Sequence, residues 1–446
     1  MNTTATTGNV LELTDQMVFL AERATGARNL AQCVWIYDHA IDMDGLRRFH
    51  QHLQRGRLCR RIERSALPFG RHRWVTAGDS SGIQMSAPAQ RSDTEAWMDD
   101  QAAEPLDPVR GPGWRLAVLP FIGGGGAVGL VVSHCLVDGM GLSQALADAA
   151  SGRDCELDLP PAASRRRWQA FREDARQAAR DLPAVGRALR AGAVMARRDR
   201  AATAGSKSSP RAVDRAGEPI TLPTASAVID GGEWDARAAA LGGTSNALLA
   251  GLAADIARRI GRVNADGTVT LAITVSDRTS DDTRANAVSN VDVVVDPAPV
   301  ATDLRSLRAA IKQALIRHND APDERMELLP LVPLMPKRVF RRMVSVATGG
   351  SAAVTSSNMG EADPAVNRPD GTEAAHLIIR SLYPGMNRQT IESAGGVLAL
   401  ASGRLNGRVS ISVLAYQPGW VNSKDELRRT LAEALAAFSL PNVELP

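Results

Sequence analysis

The stretch Leu116–Val132, LAVLPFIGGGGAVGLVV, most constrains how this chain can fold. It is strongly apolar, yet it is shorter than the ~20 residues of a membrane-spanning helix. Pro120 and four consecutive glycines also break it. Two buried strands, Trp114–Ile122 and Ala127–Ser133, joined by a glycine turn satisfy the pattern. The glycine run Gly123–Gly126 leads into a strand, whereas a phosphate-cradling loop leads into a helix, so it reads as a turn alone. The second strand ends at His134. The chain turns at Asp138-Gly139, and residues 141–150, GLSQALADAA, resume with a helical pattern.

Elements of the same mixed kind run on both sides. LTDQMVFLAERA predicts a helix over Leu13–Ala24, capped by Thr14 or Asp15, with Met17, Leu20 and Ala21 inward. NLAQCVWIYD reads as a strand. The helix MDGLRRFHQHLQRG follows, with Leu46, Phe49 and Leu53 on one face. CRRIERS and HRWVTAG read as short strands, and SDTEAWMDDQAAEPLDP as a helix that stops before its prolines. Helix formers rich in arginine fill Ser164–Arg200.

Residues 196–219 lack an apolar period and are rich in Gly, Ser, Ala and Pro, the composition of a linker or crossover. The strand ASAVIDGG then opens a second half of alternating strands and helices, ending in the amphipathic helix SKDELRRTLAEALAAF. At 446 residues the chain exceeds one ordinary core. The expected fold is α/β (α+β), two lobes each built on a mixed sheet: 1–195, linker 196–219, and 220–446.

Several function classes are disfavoured. A net charge of +3, with no aromatic residues interleaved among the basic clusters, does not suit nucleic-acid binding. The four cysteines show no CxxC spacing and read as reduced thiols. The histidines other than His134 lack a metal-ligand pattern. The opening MNTTATTGNV has neither a basic nor an apolar leader region, so a soluble cytoplasmic protein without a transmembrane segment is expected. Arg165–Arg167 and Arg197–Arg200 read as solvated helix faces, with docking of CoA phosphates or an acidic carrier as the alternative.

The chemistry points to HCLVDG, an HxxxDG pattern over His134–Gly139. An imidazole at a strand end can face a cleft and act as a general base. The competing reading is a histidine satisfied at the edge of the core. Asp138 can fix the turn or pair with a cation, and Gly139 lets the chain turn without a Cβ clash. Cys135 lies on the opposite side of the strand end and reads as core. TSSNMG, Thr355–Gly360, offers Ser356, Ser357 and Asn358 as donors to an oxyanion, or is a plain turn. Asn290 in VSNV reads as an oxyanion or tunnel residue, or as closing a strand edge.

LTDQMVFLAE, PLDPVRGPGWRLAVLP and GLVVSHCLVDGMGL resemble successive landmarks of the bacterial wax ester synthase/diacylglycerol acyltransferase family. So do ALLAGLAADIARRI, ITVSDR, SNVDVVVD, SSNMG, LYPG and NGRVSISVLAY, in the same order. That family belongs to the CoA-dependent acyltransferase superfamily, with chloramphenicol acetyltransferase, polyketide-associated acyltransferases and peptide-synthetase condensation domains. The resemblance implies two chloramphenicol-acetyltransferase-like lobes with a tunnel between them. Acyl thioester and hydroxyl acceptor would meet there at His134, without a cofactor. Ser133 replaces the first histidine of the family's HHxxxDG motif, which puts the acceptor preference in question.

The resemblance also implies that Arg278, closing ITVSDR, pairs with Asp138. It allows a carrier-protein donor, peripheral contact with a membrane or lipid bodies, and a monomer or weak dimer. Acylation of a specialised metabolite or an amine is the alternative among enzymes. A silent acyl-chain- or partner-binding relative is the alternative outside them.

Overall fold

The computed structural model describes residues 9–78, 82–155, 157–202, 217–279, 282–320, 324–336, 339–340 and 353–440. In the first half α1 (Leu13–Thr25) leads to β1 (Leu30–Tyr37), α2 (Met43–Arg55), β2 (Arg60–Glu63) and β3 (Arg73–Thr76). Then come β4 (Gln84–Met85), α3 (Thr94–Ala103), the hairpin β5 (Trp114–Pro120) and β6 (Gly126–Ser133), α4 (Gly139–Ala150) and α5 (Arg167–Ala202). In the second half β7 (Thr224–Asp230), α6 (Gly231–Ala240), α7 (Ser245–Arg259), β8 (Val269–Ser276), β9 (Val288–Val295) and α8 (Arg305–Asp320) are followed by a 3-10 segment, Glu324–Leu334. The chain continues through β10 (Val354–Glu361), β11 (His376–Leu382), α9 (Arg388–Ser393), β12 (Val397–Leu405), β13 (Arg408–Tyr416) and α10 (Lys424–Ala437).

Two mixed sheets organise the molecule. The first has the order β11-β1-β6-β5-β4, the second β7-β13-β12-β10-β8-β9, and β2 and β3 form a separate pair. The glycine turn links β5 to β6 as read, with Gly123, Gly124 and Gly125 all at positive φ. β1 is buried along its whole length because it lies between β6 and β11 and both its faces are covered. Trp35, Leu46, Phe49 and Leu146 share the core on one side, and Val34, Trp97 and Met98 on the other. That is why its sequence reads as a continuous apolar run rather than an alternation.

The first sheet takes β11 from the second half, antiparallel to β1, with Leu30 opposite Leu382 and Ile36 opposite His376. The halves therefore interlock. Most of the second core forms where α7, buried continuously from Ala247 to Ala257, lies against the second sheet.

Three local expectations are corrected. α1 starts after Glu12 with no side-chain cap, and Asp15, one of the expected caps, is fully buried. Its inward residues are Asp15, Gln16, Phe19 and Ala24, whereas Met17, Leu20 and Ala21 are half-buried against Val332 and Phe340. TSSNMG is no turn: it lies within β10, an interior strand paired in parallel with both β8 and β12. The helix α5 passes through Pro183 and runs to Ala202, so residues 196–202 of the expected linker are helical. Of the expected linker, residues 203–216 lie outside the described residues. Among the described residues no helix is long and apolar enough to cross a membrane.

Candidate active site

β6 delivers His134. Its strand pairing ends at Ser133, and the backbone N–H of His134 donates to the carbonyl of Asn29 at 2.8 Å. The imidazole is half-buried, with Nδ1 at 2.9 Å from Oδ1 of Asn286. The amide of Asn286 is oriented by its other bonds. Its Nδ2 donates to Asp15 Oδ1 at 3.1 Å and to the carbonyl of His134 at 3.2 Å, both of which only accept. Oδ1 is thus the acceptor facing the imidazole, so Nδ1 carries the proton and Nε2 presents its lone pair. No described residue hydrogen-bonds Nε2.

Asp15 anchors this relay from α1. Its Oδ1 also accepts from the backbone N–H of Asn286 at 2.8 Å, and its Oδ2 is buried without a partner. Burial pushes its pKa up to about 6, against the pull of the Arg60 guanidinium and the Asn286 bonds. Arg60 is itself buried, and desolvation lowers its pKa to about 10.

The residues bearing Asn286 arrive from the second half, in the crossing between β8 and β9. Three guanidinium groups grip their carbonyls. Arg57 donates to Asp282 at 2.6 Å, Arg60 to Thr283 at 2.6 Å, and Arg278 to Asp282 and Arg284 at 3.1 Å each. This fixes the height at which Asn286 meets His134.

Asp138 braces the other side of the motif. Its Oδ1 accepts from the N–H of Gly141 at 2.7 Å and caps α4. Its Oδ2 accepts from the N–H of Ala287 at 2.8 Å and from Nη2 of Arg278 at 2.7 Å. The two charged side chains are 1% and 3% exposed, so the pair is fully desolvated and ties the two halves together. Arg278 and Asp138 therefore meet as the resemblance implied.

Gly139 serves a different purpose from the one expected. Its backbone is outside the left-handed region, but a Cβ there would sit 2.9 Å from Sδ of Met359. The Met359 side chain of β10, from the second half, packs over this glycine at the start of α4.

The remaining candidates separate. Ser133 is buried, and its Oγ accepts from the N–H of Cys135 at 3.3 Å. Cys135 is fully buried and donates to Glu22; burial and the Glu22 carboxyl push its thiol well above the usual range. In β10, Ser356 is buried on the α7 side and Asn358 donates to Ser245 Oγ at 3.3 Å, at the start of α7. Strand alternation puts Ser357 on the opposite face, with Met359. Asn290 is exposed on the edge strand β9 and accepts from Thr274 at 3.1 Å. It is Asn286, four residues earlier, that reaches His134. Nothing in the sequence marks Asn286, and the one signal for its partner is a carboxylate, Asp15, one helical turn before Phe19 on the inward face of α1.

A cavity of about 370 Å³ lies elsewhere, lined by His376, Asn406, Arg408 and their neighbours. His376 pairs with Ile36, about 20 Å along β1 from the Leu30–Ser133 end that carries His134. Among the described residues no cluster of His, Cys, Asp and Glu is arranged to hold a metal ion.

No family model and no curated protein matches the chain. Solved structures do. The first condensation domain of the CDA synthetase superimposes with a TM-score of 0.56 at 15% identity, covering 99% of this chain and 100% of that one. Polyketide synthase associated protein 5 from Mycobacterium tuberculosis gives 0.55 at 14%, covering 94% of each. The wax ester synthase/diacylglycerol acyltransferase from Marinobacter aquaeolei VT8 gives 0.54 at 15%, covering 96% and 98%. Over nearly its whole length, the chain therefore has the two-lobed fold shared by these condensation-domain and wax ester synthase structures.

Proposed function

We propose that the chain is an acyltransferase that moves an acyl group from a CoA or carrier-protein thioester to a hydroxyl acceptor, with His134 as the general base. The observation that carries this reading is the imidazole itself. Nδ1–H is committed to Asn286, and Nε2 is left with a free lone pair where the two halves meet.

Nε2 takes the acceptor's hydroxyl proton as the oxygen attacks the thioester carbonyl. A C–O bond forms, the tetrahedral intermediate collapses, and the C–S bond breaks. The imidazolium returns its proton to the departing thiolate, which leaves as a thiol. No acyl-enzyme and no cofactor enter this scheme. Asp138 takes no proton: Arg278, Gly141 and Ala287 already bind its carboxylate, and its part is to hold the turn. Ser357 is the β10 residue suited to donate to the oxyanion, being opposite in face to Ser356 and Asn358.

The test incubates the chain with short- and long-chain acyl-CoAs and a panel of long-chain alcohols, diacylglycerol and amines. Free thiol and acylated product are measured together. Thiol release coupled to ester formation supports the reading. Amide formation alone favours a condensation-type reaction. Acyl-chain binding without turnover of any donor assigns the fold to a silent binder.

A further inference from the structure

We propose that the cavity remote from His134 binds a small hydroxylated anion, a carboxylate or a phosphate ester. Its volume of about 370 Å³ lies within the ~300–1000 Å³ of ligand pockets. Both halves of the molecule build it. β11 in the first sheet lines it with His376, and β13 in the second lines it with Arg408 and Ser410. On β13, Val409 and Ile411 enter the second core, so alternation turns Arg408 and Ser410 to the opposite face, toward β11.

The protein leaves one positive charge of this lining unmatched. Arg408 ion-pairs with no described residue. Asp230, opposite it on β7, spends its carboxylate on the cap of α6. Glu373 accepts from Asn406 and lies 3.7 Å from Arg368. Arg91 and Asp38, the other charges acting on His376, pair with each other. Burial, and then Arg408, hold the His376 imidazole below its usual pKa, so at pH 7 it adds a donor and an acceptor but no charge.

The remaining polar groups are neutral and underused. No described residue hydrogen-bonds the His376 ring or the Ser410 hydroxyl. Asn367, also lining the cavity, is 6% exposed; its Nδ2 donates to the Ala374 carbonyl at 2.8 Å, and its Oδ1 has no partner. A lone guanidinium binds a carboxylate or phosphate through paired N–H groups, and it repels amines and metal cations. Imidazole, hydroxyl and amide beside it complement the hydroxyls of the same ligand. Such a ligand would bridge β11 and β13 about 20 Å along β1 from the end that carries His134, without touching the base.

The test titrates the full chain by calorimetry with glycerate, glycerol 3-phosphate, acetate and glycerol. Proton NMR of the histidine imidazoles locates what binds, the His376 signal being the one lost in H376Q. Glycerate or glycerol 3-phosphate should saturate and move the His376 signal but not that of His134; the tighter of the two distinguishes carboxylate from phosphate. Acetate, without hydroxyls, and glycerol, without charge, should each bind about fivefold more weakly or worse. R408Q should weaken binding about tenfold, and H376Q about fivefold. Thermal unfolding without ligand checks that both variants keep the fold. Binding of neither anion, binding that moves His134 instead, equal binding by acetate or glycerol, or a folded R408Q that binds like wild type would overturn the proposal.

Discussion

Asn286→Ala separates a positioned base from an imidazole merely satisfied at the core's edge. The substitution deletes the acceptor for Nδ1–H and two donor contacts, to Asp15 and to the His134 carbonyl. A single hydrogen bond contributes about 1 kcal/mol net, enough to shift the ratio of the two imidazole tautomers by five- to tenfold. Loss of orientation adds to this, since a base in the wrong tautomer or pose cannot accept the proton. The expected fall in kcat is therefore about one to two orders of magnitude. KM for the thioester should stay nearly constant, because Asn286 touches the base and not the substrate. Asp15 keeps the backbone N–H of residue 286 at 2.8 Å, so destabilisation should be limited to about 2 kcal/mol. Steady-state kinetics of thiol release, urea unfolding and nitrogen NMR of the imidazole measure the three quantities. An Asn286→Ala protein with unchanged kcat and an unchanged Nε2 lone pair would refute the relay.

Three further outcomes follow from the geometry. Asp138→Ala and Arg278→Ala should each cost about 3 to 5 kcal/mol, because either strands a buried charge, and the double variant should be little worse than either single; additive losses in urea unfolding would contradict the pairing. Asp15, raised to about 6 in the fold from 3.8, holds its proton more tightly folded than unfolded. Its contribution is thus complete below about pH 4 and lost as pH rises through 6, about 3 kcal/mol in all. The difference in unfolding free energy between wild type and Asp15→Asn should carry that slope, and a flat difference across the window would contradict it. Ser357→Ala should lower kcat more than it raises KM, whereas Asn358→Ala should act mainly on stability through Ser245; the reverse pattern would move the oxyanion donor to the other face of β10.

Much of this was legible in the sequence, for identifiable reasons. The β5–β6 hairpin follows from apolar composition and a glycine run too long for a strand interior. The placement of His134 follows from the abrupt end of the second strand. What could not be read is what comes from far along the chain. Asn286 lies 152 residues from His134 and in no periodic pattern, so nothing local marks it. Asp15 looked like a cap because carboxylates at helix starts usually are; its burial depends on Asn286 and Arg60 meeting it. TSSNMG suggested a turn by its small polar residues, yet pairing on both sides overrides that local preference. Gly139 reads as a turn residue, yet it opens α4 outside the left-handed region, close to the Met359 side chain of the other half.

The most direct test of the account is acyl transfer by His134→Ala, measured as thiol released from the preferred acyl-CoA in the presence of its acceptor. Removal of a general base predicts a loss of about two to four orders of magnitude in turnover with the fold retained. Turnover within a fewfold of wild type would contradict the central claim.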